Sequence, residues 1–259
     1  MSARPLPLPL PRRRFLGVDF TPLDLDTATR TVVERPADAP FAYVVTPNAQ
    51  HVVAAHAGDA RFRSGQAGAW MVLNDSRILR LLSRHLFGLD LPLAAGSDVT
   101  TRLFQTGIGP HTSLTLIGGD AALEVQLRRD FGVRNIARLN PSFGFYRDPI
   151  EVQRCLDFVC DNPARYVFFV VGAPQSEMLA QALVGQAGVT GVGLCVGSAL
   201  NFLTGRIRRA PLIVRSANLE WAWRLGQNPL GHARRVFVES APILWIALRE
   251  RLAARSVAS

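Results

Sequence analysis

One short stretch, residues 166–177 (YVFFVVGAPQSE), constrains the fold of this chain more than any other. Its six leading apolar or aromatic residues are too few for a buried helix, and their β-branched and aromatic types favour a strand. A strand without polar alternation is typical of a parallel sheet covered by helices on both faces. Gly172 and Pro174 end the run before a helical pattern begins. The stretch predicts an α/β fold, although the turn alone is also typical of an ordinary strand-to-helix connection.

The same alternation of strand and helix continues along the chain, which predicts a Rossmann-like α/β fold with a mostly parallel sheet flanked by helices. The other predicted strands lie near residues 41–45, 70–73, 114–117, 133–139 and 188–196. Residues 96–98 (GSD) read as a loop and N-cap for a helix from Val99. We expect a disordered basic segment at 1–14, an α/β body at 15–204 and a basic helical C-terminal appendage at 205–259.

The charge of the chain is concentrated at its ends. All 29 basic residues are arginine; residues 1–14 hold four arginines and no acid, and residues 205–259 hold ten arginines against three acids. Such ends suit an anionic surface, and nucleic acid is one alternative. The tail also carries Trp221, Trp223 and Trp245, and arginine beside tryptophan is typical of a membrane interface. We therefore expect an anionic membrane surface as partner rather than nucleic acid.

The cysteines and the N-terminus favour a cytoplasmic location. Three cysteines, odd in number and without metal-ligand spacing, fit a reduced compartment. Residues 12–16 (RRRFL) superficially resemble a twin-arginine export signal, but three aspartates follow where such a signal needs an apolar region. No run of 18 apolar residues exists in the sequence, so no spanning helix is expected.

The polar residues that follow the predicted strands are the candidates for chemistry. Ligands of open α/β sheets bind beyond the carboxyl ends of the strands. Several of these ends carry uncharged hydrogen-bonding groups or small residues, and one carries a carboxylate, Asp75. The uncharged ones are Thr46, Asn48, Gly118, Gly119, Gln175, Gly197 and Ser198. If the ends lie together, they form one polar cleft with a single candidate base. The alternative for Asp75 is to cap the helix that follows it.

Several other kinds of site find no support in the sequence. A complete GxGxxG fingerprint after an early strand is missing, and a Walker motif needs a lysine that this chain does not contain. A GxSxG elbow is also missing. Asp24 and Asp26 form a DxD pattern, but they lie at a predicted helix start, where acids stabilise the helix dipole. We therefore expect no metal site and no cofactor.

Taken in order, these motifs resemble the WecG/TagA/CpsF family of bacterial glycosyltransferases, over roughly residues 15–250. The segments that carry the resemblance are TPNAQHVVAA, MVLNDSRILRLLSRHLFG, AAGSDV, LIGGD, VVGAPQSE, GVGLCVGSALNFLTGRIRRAP and ANLEWAWRLGQNPLGHARRVF. The Gly-x-Pro-x-x-Glu turn and the Leu-Glu-Trp tail are the most specific of them.

The resemblance implies a metal-independent, inverting transfer of a sugar from a nucleotide-sugar donor to a polyprenyl diphosphate-linked acceptor at the inner face of the cell membrane. The family base would fall on Asp75, and the substrate-binding positions on Thr46, Asn48, Gln175, Gly118, Gly172 and Glu177. A positioned carboxylate can take the proton of an attacking hydroxyl, and arginines can stabilise a leaving diphosphate. The arginines that we expect in that role, and at the membrane, are Arg209, Arg224, Arg234 and Arg235.

Two departures from the family pattern leave alternatives open. Ser76 replaces the usual glycine after the aspartate, and residues 91–95 (LPLAA) lack the usual arginine before the Gly-x-Asp loop. A non-catalytic family member or a nucleic-acid-binding α/β protein is the alternative function, and a nicotinamide-dependent dehydrogenase is disfavoured by the missing fingerprint. The alternative for the tail is a solvated basic helix pair that covers the core. The donor sugar, the acceptor, the linkage and the oligomeric state, including a homo-oligomer, are not specified by the sequence.

Overall fold

The fold is an α/β sandwich, seen in a computed structural model that describes residues 10–207, Val214, Gly226 and 238–257. Its strands are β1 Arg13–Phe15, β2 Val18–Phe20, β3 Ala42–Val45, β4 Met71–Val72, β5 Ser113–Ile117, β6 Asn135–Leu139, β7 Tyr166–Phe169 and β8 Val192–Cys195. Its helices are α1 Leu25–Glu34, α2 Ala49–His56, α3 Ala60–Ala67, α4 Arg77–Phe87, α5 Gly96–Thr106, α6 Ala121–Phe131, α7 Pro149–Asp161, α8 Gln175–Leu183, α9 Ala199–Leu203 and α10 Pro242–Val257.

Six strands form one parallel sheet in the order β4-β3-β8-β7-β5-β6. β7, the strand predicted from the most constraining stretch, lies inside the sheet between β8 and β5, and all four of its residues are buried. The all-parallel sheet and its covering helices confirm the predicted fold class. Each of the six predicted strands is present, most of them shorter than the apolar run that predicted it.

Two hydrophobic layers cover the two faces of the sheet, because successive strand side chains point to opposite sides. On one face, Tyr43 and Phe169 pack with residues of α2, α4, α7, α8 and α10. On the other, Val44 and Phe168 pack with residues of α1, α5, α6 and α9. This alternation requires a sheet with a helix layer on each side.

The N-terminal part of the body begins earlier than expected. Arg13 and Arg14, placed by the sequence analysis in a disordered segment, pair with β2 in an antiparallel hairpin. The guanidinium of Arg12 donates hydrogen bonds to the carbonyls of Ala69 and Trp70, at 2.6 and 2.9 Å. The hairpin was missed because a three-residue strand rich in arginine has no apolar alternation.

Helix α10 packs on α2 and α4, and its contact side joins the core. Ile243 and Ala247 are fully buried there, one helical turn apart. Burial of an isoleucine side chain contributes about 2 kcal/mol. This part of the expected C-terminal appendage therefore packs on the body. It does so in the way that the alternative for the tail, a helix pair that covers the core, predicts.

Candidate active site

The parallel sheet brings the ends of six strands to one edge, which we call the carboxyl edge. The chain leaves β5 toward the outer strand β6, but it leaves β7 in the opposite direction, toward β8. Ligands of open α/β sheets bind at such a switch point. The candidate residues divide into an acid half, after β4 and β3 (Asp75, Thr46 and Asn48), and a glycine half, after β7 and β5 (Gly172, Gln175 and Gly118).

Asp75 is held in place by its own backbone. Its N–H donates to the carbonyl of Pro47 at 3.1 Å, which joins the loop after β4 to the loop after β3. The preceding Asn74 is 2% exposed and donates its amide to the Leu91 carbonyl at 3.3 Å. Asp75 itself is half-buried. The acid half therefore brings together the predicted base and the end of β3.

The N-cap residue of α4, the helix after Asp75, is Ser76. Its hydroxyl accepts from the Leu79 N–H at 3.4 Å. The Ser76 N–H in turn donates to the Asn74 side chain at 2.9 Å. Ser76 has φ −138° and ψ 118°, an extended conformation that any residue can adopt. The departure from glycine therefore does not disturb this turn, and the N-cap position that was the alternative for Asp75 falls on Ser76.

Thr46 and Asn48 both support the acid half from β3. Asn48 is the N-cap of α2, and its side-chain oxygen accepts from the His51 N–H at 3.3 Å. Thr46 is 6% exposed and lies against Gly96, where a β-carbon would come within 2.7 Å of its hydroxyl. Helix α5 begins at Gly96 with Ala95 as N-cap, so the expected start at Val99 was wrong. The missing side chain of Gly96 lets this helix N-terminus approach Thr46.

The glycine half is built from two residues with left-handed backbone conformations. Gly118, with φ +98°, lies against the end of β7, where a β-carbon would be 3.0 Å from the Val170 carbonyl carbon. Gly172 has φ +81°, and among the residues that the structure describes none would lie within 4 Å of a β-carbon there. Gln175 is the half-buried first residue of α8. The sequence signal for both glycines was their place directly after an apolar strand.

Glu177 lies beneath this loop rather than at the cleft. Its side chain is buried, 2.7 Å from the Ser176 hydroxyl, which is 2.9 Å from the Gly172 carbonyl. A hydroxyl has one proton and a carbonyl only accepts, so both contacts are hydrogen bonds only when Glu177 is protonated. Burial raises the pKa of Glu177, against the lowering effect of Ser176. The expected substrate-binding position is therefore corrected to a supporting one.

Two arginines that the sequence analysis did not single out lie near the loop after β5. Arg138 donates to the Gly119 carbonyl and to Glu124, both at 3.2 Å. Arg206 forms a two-pronged ion pair with Asp120, which caps α6, and this pair holds the pKa of Asp120 well below its usual range. Both cations already have carboxylate partners. The four predicted arginines, Arg209, Arg224, Arg234 and Arg235, lie outside the described residues.

The acids of the DxD pattern have structural partners. Asp24 caps α1 by accepting from the Thr27 N–H at 2.7 Å, and Asp26 pairs with Arg102 at 2.7 Å. Within residues 10–207 and 238–257, no cluster of three or more histidine, cysteine, aspartate or glutamate side chains has the arrangement of a metal site.

The two halves are separated by the width of the sheet between them. β4 and β7 are three positions apart in the strand order, and neighbouring strands lie about 4.8 Å from each other, so the separation is roughly 14 Å. An extended ligand made of several groups can reach from the end of β4, which Asp75 follows, to the end of β7, which Gly172 follows.

None of the helices in the part of the chain that the structure describes is long and apolar enough to span a bilayer.

The sequence model of one protein family covers nearly the whole chain. The WecG/TagA/CpsF family of glycosyl transferases matches residues 13–257, which includes every strand of the sheet and all the candidate site residues. Glycosyl transfer requires a sugar donor and a sugar acceptor, and it fits a carboxyl edge with a carboxylate at one end and open glycine loops at the other. The chain belongs to the WecG/TagA/CpsF family of glycosyl transferases.

Proposed function

We propose that this protein is an inverting glycosyltransferase of cell-surface or exopolysaccharide biosynthesis. It moves a hexosyl or N-acetylhexosaminyl group from a nucleotide-sugar, which we expect to be a UDP-sugar, to a polyprenyl diphosphate-linked sugar, without a metal. The observation that carries the proposal is the position of Asp75: this half-buried residue follows β4 at the carboxyl edge, and its N–H donates to the Pro47 carbonyl just after β3.

The proposed step is a single displacement with Asp75 as general base. The acceptor hydroxyl oxygen forms a bond to the anomeric carbon while the bond from that carbon to the nucleoside diphosphate oxygen breaks. The hydroxyl proton passes to the Asp75 carboxylate, and the bonding electron pair leaves with the diphosphate. Attack from the face opposite the leaving group inverts the anomeric centre. A positioned base contributes about 10²- to 10⁴-fold to such a rate.

The two halves of the carboxyl edge divide the substrates in this proposal. The acid half receives the acceptor hydroxyl, with Thr46 and Asn48 beside the base. The glycine half receives the nucleotide, with Gln175 as a polar contact and with none of the described residues close to a β-carbon at Gly172. The switch point between β5 and β7 supports this placement, because ligand phosphates in open α/β sheets lie at such a point.

The charge that develops on the leaving diphosphate needs a cation. Arg138 and Arg206 are each paired with a carboxylate, which makes them weak candidates for this role. We assign the role to the tail arginines Arg209, Arg224, Arg234 and Arg235, which lie outside the described residues. Arginine binds phosphate in a bidentate manner, which suits a metal-independent site.

The acceptor is anchored in a membrane, so the proposed enzyme works as a peripheral protein on the inner face of the cell membrane. The arginine-rich tail, residues 205–259, is the proposed docking appendage. The exposed Trp245 on α10 supports this role, because tryptophan is enriched at the level of the lipid head groups.

Nucleotide release from a panel of UDP- and GDP-sugars tests the proposal. Each donor is offered with a short-chain polyprenyl diphosphate-linked sugar, with and without a chelator, to the parent chain and to Asp75→Asn. The matched control is Asp120→Asn, a strand-end aspartate that caps a helix, because asparagine caps about as well as aspartate.

The expected result is acceptor-dependent release that survives the chelator, collapses in Asp75→Asn and persists in Asp120→Asn. Release that is unimpaired in Asp75→Asn would contradict the assignment of the base. No release from any donor would favour the non-catalytic alternative.

A further inference from the structure

Helix α4 presents large apolar side chains to solvent. Its buried side is formed by Leu79 and Ser83, which face the core. Ile78 and Leu81 lie on the other side and are 37% and 45% exposed. They are three residues apart and therefore neighbours on the helix surface. The packing of the body does not account for them.

Helix α10, which packs on α4, has an apolar stripe of its own. Leu244, Leu248 and Leu252 follow one another at four-residue spacing, and each is about half exposed. Trp245 lies beside them and is 67% exposed. The stripe points away from the buried Ile243 and Ala247 of the same helix. Exposed apolar residues that follow one another along a helix, rather than singly, make this stripe a candidate interaction surface.

Arginines border both apolar groups. On α4 they are Arg80 and Arg84, both exposed, and this helix contains no acidic residue. On α10 they are Arg249 and Arg251, on either side of the leucine stripe. The one acid of α10, Glu250, lies on the side that faces the body, 3.4 Å from His56. An apolar stripe with arginine borders is the pattern of a helix that lies in a membrane interface.

We propose that the outward sides of α4 and α10, which we call the α4–α10 surface, form one docking surface for an anionic lipid bilayer. The proposal goes beyond the tail: it assigns membrane contact to α4, a helix of the catalytic body. Ile78 and Leu81 enter the head-group region beside the leucine stripe of α10, and the arginines meet the lipid phosphates.

A bilayer fits this surface better than a second copy of the chain does. Two copies joined through the same surface by a two-fold axis would bring arginine borders against arginine borders, and like charges across an interface are repelled. Anionic lipid neutralises them instead. The apolar stripe is also narrow and its borders are polar, as a shallow contact with a lipid interface requires.

The position of α4 connects this surface to the chemistry. The helix begins two residues after Asp75. Ile78 is three residues from Asp75, and at a rise of 1.5 Å per residue this corresponds to about 4.5 Å along the helix axis. Docking through α4 therefore brings the acid half close to the lipid head groups, where a lipid-linked acceptor carries its sugar. This consequence rests on the proposed function; the docking itself does not.

Vesicle flotation with the full chain tests the surface. The variants are Ile78→Ser/Leu81→Ser and Arg80→Gln/Arg84→Gln, with vesicles of phosphatidylcholine alone or mixed with phosphatidylglycerol. The matched controls lie on α6, on the other face of the sheet: Val125→Ser, at a valine that is 61% exposed, and Arg129→Gln. Urea unfolding shows that each variant is folded.

The expected result is a loss of roughly tenfold in vesicle affinity for the apolar variant, from removal of two lipid-facing side chains. The arginine variant is expected to lose about fivefold in vesicle affinity per arginine. This loss is expected only on the vesicles that contain phosphatidylglycerol, and it should be smaller at high salt. Both controls bind like the parent. Parental binding by the α4 variants would overturn the proposal, as would an equal loss in the controls. A change of mass in sedimentation, with vesicle binding unchanged, would assign the surface to a second copy and also overturn it.

Asp75→Asn separates this proposal from the proposed function. It is expected to lose sugar transfer and to bind vesicles like the parent. A chain that binds vesicles through α4 but transfers no sugar would contradict the proposed function and leave the docking surface standing. A chain that transfers sugar, and whose vesicle binding is unchanged by the α4 substitutions, would contradict the docking surface and leave the proposed function standing.

Discussion

The two halves of the carboxyl edge are built on opposite principles. In the acid half, side chains are held: Asn74 is bonded on both sides, Ser76 and Asn48 cap helices, and the backbone of Asp75 is tied to Pro47. In the glycine half, side chains are missing where the ligand would lie, and the support comes from below through Ser176. The difference teaches that one half fixes its polar groups and the other relies on glycine, which in the proposed function corresponds to positioning the base and leaving room for the nucleotide.

The largest effect is expected from the base. Asp75→Asn should lower kcat by about 10²- to 10⁴-fold, because the asparagine amide cannot take a proton. The KM for the donor should change little, since the proposed donor site is in the other half. Steady-state kinetics with varied donor and acceptor measure both constants. A rise in donor KM without loss of kcat would place the nucleotide at the acid half and break the comparison.

Two glycine substitutions sharpen the comparison within the glycine half. Gly118→Ala should destabilise the fold by about 3 kcal/mol, from the left-handed backbone and from the close Val170 carbonyl. Gly172→Ala has the same backbone cost, about 1 kcal/mol, but no clash. Urea unfolding measures both.

The same pair tests the donor site. Gly172→Ala should raise the donor KM, because its methyl group occupies the space proposed for the nucleotide. An unchanged donor KM in a folded Gly172→Ala variant would contradict that placement.

Glu177 should make stability depend on pH. Burial raises the pKa of Glu177 in the folded protein above its value near 4.5 in the unfolded chain. The contribution of protonated Glu177 to the free energy of unfolding is therefore fully present below pH 4.5, and it is lost as the pH rises through the pKa of the folded state. Relative to Glu177→Gln, the free energy of unfolding of the parent should fall by about 1.4 kcal/mol per pH unit between the two pKa values.

Urea unfolding of both proteins across this range measures the difference, with the exposed Glu34→Gln as control. The neighbouring Tyr43 and Cys195 have raised pKa values, so neither ionises in this range. A constant difference between parent and Glu177→Gln would show that Glu177 is ionised and that the hydrogen-bond chain to Gly172 is not as inferred.

The smallest effect is expected from the ion pair that borders the glycine half. Arg206→Gln should raise the pKa of Asp120, since the guanidinium contact is the main cause of its low value. The pair favours the folded state above the unfolded pKa of 3.8, and that contribution is lost as pH falls. Both side chains are partly solvent-exposed, so the change in stability should be slight. A side-chain carboxyl titration by NMR measures the pKa, and an unchanged value would mean that the pair does not persist in solution.

The strands of the sheet could be predicted because each is an apolar run between turn residues. The six runs and the glycines that end them, such as Gly118 and Gly172, require little beyond local chemistry. The β1–β2 hairpin could not be predicted in this way, because Arg13 and Arg14 become ordered through pairing with β2. The role of Glu177 also escaped prediction, since burial of a carboxyl depends on what packs around it.

The amino-acid sequence by itself determined the family, the parallel α/β fold and the set of strand ends that carry Thr46, Asn48 and Asp75. These depend on apolar periodicity and short motifs, which are local properties of the chain. Only the tertiary structure decided that the backbone of Asp75 is tied to Pro47, and that α10 packs on α4 while each helix leaves apolar side chains exposed. The physical reason is that these contacts join residues that are distant in sequence, and only the folded chain brings them together.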